Sequence, residues 1–329
     1  MRIGRREFLK AALATAAFGL GRGLEAAESG SAKRPPLPPK STVIQTQSKR
    51  AFQYGRIHDD VVREMLDSSM MKLAKCEQAA EAWKTIASAT DRVGIKVNCI
   101  GRENLSTHTE VVAAIVAGLK SAGVDPQNIV VFDRDEGEMN DAGYHPPAVG
   151  GVRCQASSEY SPKLLRFYFG ATRLAKILGE ITVLIDVPVL KDHNIAGVTI
   201  AMKNLSHGLC ENPGDFHANG CDPAIAQIFG TEEIQSKLKL VVCDAIVAAC
   251  DGGPSGMTNA AKWACGTLLV GKDAVAIDRI GMDLIEARRR ERRLMPLARR
   301  GPPRHIITAG KLGLGHYLLD KIDLVRMEV

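Results

Sequence analysis

Two kinds of apolar pattern alternate along the chain. Segments 41–47, 93–97, 129–132, 181–187, 238–247, 267–270 and 322–327 are short, rich in β-branched residues and bounded by polar or glycine positions, which predicts strands, with a further short one near Val152. Between them, apolar side chains recur every three or four positions. From His58 onward Val61, Met65, Met70 and Leu73 share one helical face, and Val111, Val112, Ile115, Val116 and Leu119 share another. Thr107 and Glu110 have capping-box spacing before the second of these, and Gly123 suits its end. Asp273 predicts the cap of a long helix running to about Glu291, and shorter helices are expected over 172–178, 198–205 and 222–229.

A strand, a helix and a strand over 93–132 make a βαβ unit, which calls for parallel strands. The expectation is an α/β fold, a mostly parallel sheet with helices on both faces, in a single domain over 41–329. Ligands bind such sheets beyond the carboxyl ends of the strands. That directs attention to the polar residues following the run 181–187: Lys191, Asp192, His193, Lys203, Asn204, His207, Cys210, His217 and Cys221. Pro188 cannot donate to a ladder and is expected to end the strand.

The first residues do not fit this pattern. Gly4-Arg5-Arg6-Glu7-Phe8-Leu9-Lys10 precedes an Ala-rich apolar stretch from Ala11 to Leu20. The stretch is shorter than the roughly 20 residues a membrane helix needs. The order of basic pair, apolar core and small residues resembles a twin-arginine (Tat) export signal over 1–32, with a Pro-rich linker at 33–40. Export machinery is then one partner, and the mature protein is expected in the periplasm or otherwise outside the cytoplasm, without a stable membrane span.

Composition narrows the function classes. With 45% apolar and 24% charged residues the 329-residue chain is of ordinary globular type. The formal net charge of +6 is concentrated partly in the leader, which is too little to argue for nucleic acid. The basic run from Arg288 to Arg293 falls at a helix end, where it complements the dipole. Eight cysteines include no Cys-x-x-Cys pair, so neither a ferredoxin-type cluster nor a thioredoxin-like pair has support. Gly-x-Ser-x-Gly and Gly-x-Gly-x-x-Gly are absent too, which removes the main support for a serine hydrolase or a dinucleotide-binding dehydrogenase.

The ordered motifs VGIKVN (93–98), SPKLL (161–165), VPVLKDH (187–193), GVTIAMKN (197–204), His217, DGGP (251–254) and GKDAVAID (271–278) resemble the bacterial and archaeal family called domain of unknown function 362. The resemblance is to its Tat-exported branch and covers about residues 45–326. It implies a fold and a placement of the site but no established reaction. Relatives fused to ferredoxin-type modules hint at an iron–sulfur or other redox association, a hint that transfers weakly because this sequence lacks the Cys-x-x-Cys runs of such a module.

Three chemistries remain open at the strand ends. Lys96, Lys191 and Lys203, each near an Asn or Asp, could form an anion site, with Asn98, His108, Asn204, Asp244 and Asp278 as further ligand-binding candidates. Lys191, His193, Lys203 and His217 are the candidates for catalysis, the histidines because they titrate near neutrality. The spacing H-x2-C-x6-H-x3-C places Cys210, His217 and Cys221 as metal-ligand candidates. The same two cysteines could instead form a disulfide, or do neither. Paired carboxylates among Asp244, Asp251, Asp273 and Asp278 could hold a divalent metal such as Mg²⁺ beside an anion. Asp273 is accounted for as a cap, while Asp278, one turn into that helix, calls for another reason, such as facing the site. The turn DGGPSG (251–256) lacks the Lys and Ser/Thr of a phosphate-binding loop and reads as a tight turn. The expected function is therefore an exported protein that binds a small anionic ligand, with a metal or redox cofactor, the alternative being a non-catalytic periplasmic binding or assembly protein.

Overall fold

The structure is a computed structural model that describes residues 36–145, 149–254 and 261–329. The segment expected to be an export signal (1–32), residues 33–35 of the linker and Ser255-Gly256 of the glycine-rich turn lie outside the described residues.

Among the described residues, ten strands form one sheet: β1 (Ser41–Gln47), β2 (Val93–Lys96), β3 (Ile129–Asp133), β4 (Arg153–Ala156), β5 (Val183–Asp186), β6 (Val189–His193), β7 (Gly197–Thr199), β8 (Leu238–Ala249), β9 (Lys262–Gly271) and β10 (Ile322–Glu328). The order is β10-β1-β9-β8-β5-β2-β3-β4, with β6 pairing β8 and β7. β10–β1, β8–β5, β5–β2, β2–β3, β3–β4 and β6–β8 are parallel. β9 runs against β1 and β8, and β7 against β6.

Alternation along each strand sends side chains to two cores. Val93, Ile95, Ile129, Val131, Val183 and Ile185 face helices α1 (Asp59–Ala74), α2 (Ala79–Lys84) and α3 (Thr109–Ser121). Val130, Phe132 and Leu184 face the other layer. That layer contains α4 (Ala201–Ser206), α5 (Ala224–Phe229), α6 (Ala274–Glu291) and α7 (Arg304–Lys311). The expected architecture, a mostly parallel sheet covered on both faces, is therefore present. Gly94 shows how tightly the second layer closes, since a Cβ there would lie 2.7 Å from Ile181. Asp273 caps α6 by accepting from the Val275 and Ala276 amides, as its position predicted.

Several local expectations fail for physical reasons. The run 181–187 does end as a strand before Pro188, since β5 stops at Asp186, but the irregular segment expected after it is absent. The next residues form β6, which is buried throughout although it reads Val-Leu-Lys-Asp-His. Thr107 does not cap α3, because its hydroxyl donates to Val187 O at 2.7 Å and accepts from Asn98 N, tying the ends of two strands together. Segment 172–178 is a strand end and a short 3-10 turn instead of an α-helix. Segment 198–205 divides between β7 and α4. Gly123 does close the segment after α3, at φ +93°.

Candidate functional site

Strand register sets the first part of the site. Lys96 at the end of β2 stands beside Phe132 of β3 and Asp186 of β5. Its ammonium donates to Asp133 Oδ1 at 2.7 Å, Val97 O at 2.7 Å and Asn204 Oδ1 at 3.1 Å, so all three of its N–H groups are engaged. Asp133 also accepts from the Cys99 and Arg134 amides. Asn204 donates to Asp186 Oδ1 at 2.7 Å and accepts from Asn98 at 3.0 Å. Lys191, on β6, donates to Asn98 Oδ1 at 2.6 Å. Burial lowers its pKa to about 8, against the raising effect of Asp133 and Cys99. Lys96, Asn98, Asn204 and Lys191 are thus gathered in one buried network that binds the ends of β2, β3 and β5 and the middle of β6 to α4.

One residue before Asn204, Lys203 has very different surroundings. It is 6% exposed, and among the described residues its ammonium has one polar contact, His217 Nε2 at 3.4 Å. Burial lowers its pKa to about 8. His217 Nδ1 lies 2.9 Å from Pro213 O; a carbonyl can only accept, so Nδ1 carries the proton and the Nε2 lone pair faces Lys203. Burial and the Lys203 charge both lower the His217 pKa. His193 accepts from the Ile195 and Ala196 amides through Nδ1, and its pKa falls to about 2, chiefly through burial and then Lys203. Its ring stacks on His217 with centroids 5.6 Å apart, while His207 meets His217 edge-on at 4.9 Å. Arg134 adds another positive charge acting on Lys203 and Cys210. Its guanidinium makes no hydrogen bond among the described residues, and Nε is sealed from solvent. The sequence offered no signal for Arg134, which belongs to no motif.

His207, His217 and Cys221 present one donor atom each, all within 4.8 Å of one another, so this group could hold a metal. Cys210 stands outside it, its Sγ directed at His207 O, and His207 takes the place expected for Cys210. All eight cysteines are free thiols, so Cys210 and Cys221 are not bonded to each other in this structure.

The carboxylates do not assemble as a pair at this seat. Asp278 accepts from the Ala201 and Met202 amides and so caps α4, the helix that carries Lys203. Burial raises its pKa to about 8 despite those bonds. Asp244 accepts from both the amide and Nδ1 of His108, at 2.8 and 2.7 Å. Burial lowers the His108 pKa, but the Asp244 charge and hydrogen bond outweigh it and leave a net rise. Asp251 pairs with Arg289 and Arg300, and the Gly253 amide donates to Asp192 Oδ1. The glycine-rich turn is thereby committed to Asp192, and a Cβ at Gly253 would lie 2.0 Å from Asp192 O. Among the described residues, no helix is long and apolar enough to cross a membrane.

Residues 93–283 match the family described as "Domain of unknown function (DUF362)". The chain belongs to this family. The DUF362 segment includes the Lys96–Lys191 network, Lys203 and the His207/His217/Cys221 group. No curated protein matches the chain. Among solved structures the chain is similar to a protein from Thermotoga maritima, with 9% identity and a TM-score of 0.45 over 70% of this chain and 59% of that one. It is also similar to the lactate racemase apoprotein from Thermoanaerobacterium thermosaccharolyticum, with 10% identity and a TM-score of 0.36 over 77% of this chain and 59% of that one. The chain thus spans under two thirds of either protein's length.

Proposed function

We propose that this DUF362 protein is exported and binds a small anionic ligand at the seat formed by Lys203, Arg134 and His217. The observation that carries the reading is Lys203, a buried ammonium with no carboxylate among its described partners. A buried cation needs an opposite charge or strong acceptors, and the Arg134 charge nearby makes the need greater. An anion would supply it, and the His217 ring could exchange a proton with a ligand held there. Lys96 and Lys191 support this reading indirectly, since their bonds hold the strand ends and α4 in place.

Binding to the folded state alone raises the unfolding midpoint by mass action. Phosphate, sulfate or a small carboxylate should therefore stabilise the wild type. Lys203→Met should weaken the binding by about 1.5–3 kcal/mol, the scale of a charged hydrogen bond, without lowering the stability of the ligand-free protein. If none of these anions shifts the wild-type midpoint, and Lys203→Met behaves as wild type, the anion reading fails. The export part of the proposal rests on Arg5 and Arg6. Their joint replacement by Lys should retain the protein in the cytoplasm, because a guanidinium pair and an ammonium pair are not interchangeable. Undiminished export of that variant, followed by cell fractionation, would refute it.

A further inference from the structure

We propose that His207, His217 and Cys221 bind one soft divalent cation of the zinc class, and that Lys203 occupies the His217 lone pair when the metal is absent. The site shares His217 with the anion seat but does not depend on an anion binding there.

The donor set comes first. Two imidazoles and one thiolate suit a borderline-soft cation, and three protein ligands leave a position open for an external one. The Pro213 carbonyl fixes the His217 tautomer and aims Nε2 inward, the usual outer-shell support of a ligating histidine. Cys221 is fully buried, yet its thiol has no hydrogen bond among the described residues. Burial raises its pKa and the Lys203 charge only partly opposes that rise, so a metal has to displace the thiol proton on binding. His207 is held only by long contacts, 3.2 Å to Ser206 Oγ and 3.3 Å to Phe216 O, so turning its ring sacrifices little.

The separation of the donors is the second part. Metal–nitrogen bonds near 2.0 Å and metal–sulfur bonds near 2.3 Å put ligands in a tetrahedral site roughly 3.3–3.7 Å apart. Starting from donors within 4.8 Å of one another, the group needs to contract by about 1.5 Å at most. His217 and Cys221 lie in segment 213–221, two short 3-10 turns, the second broken by left-handed backbone at Asn219 and Gly220, which resist that movement less than an α-helix or a strand would. The obstacle is electrostatic, because the Lys203 ammonium donates to the nitrogen the metal needs. A metal therefore has to displace Lys203, which then faces the open position and can hold an anion there.

The experiment uses the full-length protein, reduced and stripped with a chelator, then titrated with Co²⁺. One equivalent should bind with a thiolate-to-cobalt charge-transfer band and the ligand-field bands of a tetrahedral ion, and Zn²⁺ should bleach both. Cys221→Ser should lose the charge-transfer band and Cys210→Ser should keep it, with circular dichroism confirming that each variant is folded. Lys203→Met should bind Co²⁺ more tightly than wild type, the opposite of its effect on anions. The proposal is overturned if no equivalent binds, if Cys221→Ser retains the band or Cys210→Ser loses it, or if a Cys210–Cys221 disulfide is found in the isolated protein. Anion stabilisation without a cobalt band sinks this proposal alone, and a cobalt band without anion stabilisation sinks only the anion reading.

Discussion

Lys96 and Lys203 are both buried lysines at the same end of the same sheet, yet they have opposite surroundings. Lys96 has a carboxylate, a carbonyl and an amide oxygen as partners for its three N–H groups. Lys203 has one imidazole nitrogen at 3.4 Å. Burial alone therefore does not mark a functional lysine. What separates the two is whether the protein itself supplies the compensating groups. Where it does, the charge serves as a brace; where it does not, something else has to fill the place.

The largest effect should come from breaking the brace. Lys96→Met strands Asp133 as a buried carboxylate without its cation, which costs about 3–5 kcal/mol. Urea unfolding measures this, and adding Asp133→Asn should return part of the loss because the two positions are coupled. Lys203→Met is the counterpart. With no ion pair among the described residues to break, it should leave ligand-free stability within about 0.5 kcal/mol of wild type or raise it. A loss comparable to that of Lys96→Met would erase the distinction between the two lysines.

A smaller effect concerns His108, whose charged form is favoured by Asp244 and by Glu110. Its folded-state pKa lies above the unfolded value of about 6.5. The stabilisation it gives is therefore complete below that unfolded value and fades as pH rises through the folded one. His108→Ala should lower the midpoint more at pH 5 than at pH 9. An equal drop at both would show that the ring contributes packing alone.

Much of this layout is legible in the sequence, and the exceptions have identifiable causes. β2, β3, α3 and α6 follow from apolar period and capping signals, because their partners are the two hydrophobic layers. β6 is hidden because its charged side chains are buried by partners far away in sequence, such as Asn98 for Lys191 and Arg300 for Asp192. The capping motif at Thr107 misleads because a threonine hydroxyl serves a strand end equally well, and only the fold decides which it meets. The lysines, His217 and Cys221 could be singled out from strand-end position and residue type. Their division into brace and seat could not, since it depends on which oxygens lie within 3 Å. Arg134 escapes for the same reason.

The shortness of α4 has a mechanical consequence. Its six residues, Ala201–Ser206, are pinned at one end by Asp278 and carry Lys203 and Asn204 side by side, about 100° apart around the axis. So short a helix bends little and turns as one piece, like a key in a lock. Any pull on Lys203 rotates Asn204 relative to Lys96, Asn98 and Asp186, the groups it joins. The side-chain amide protons of Asn204 should therefore report occupancy of the neighbouring seat, although no ligand need ever touch them.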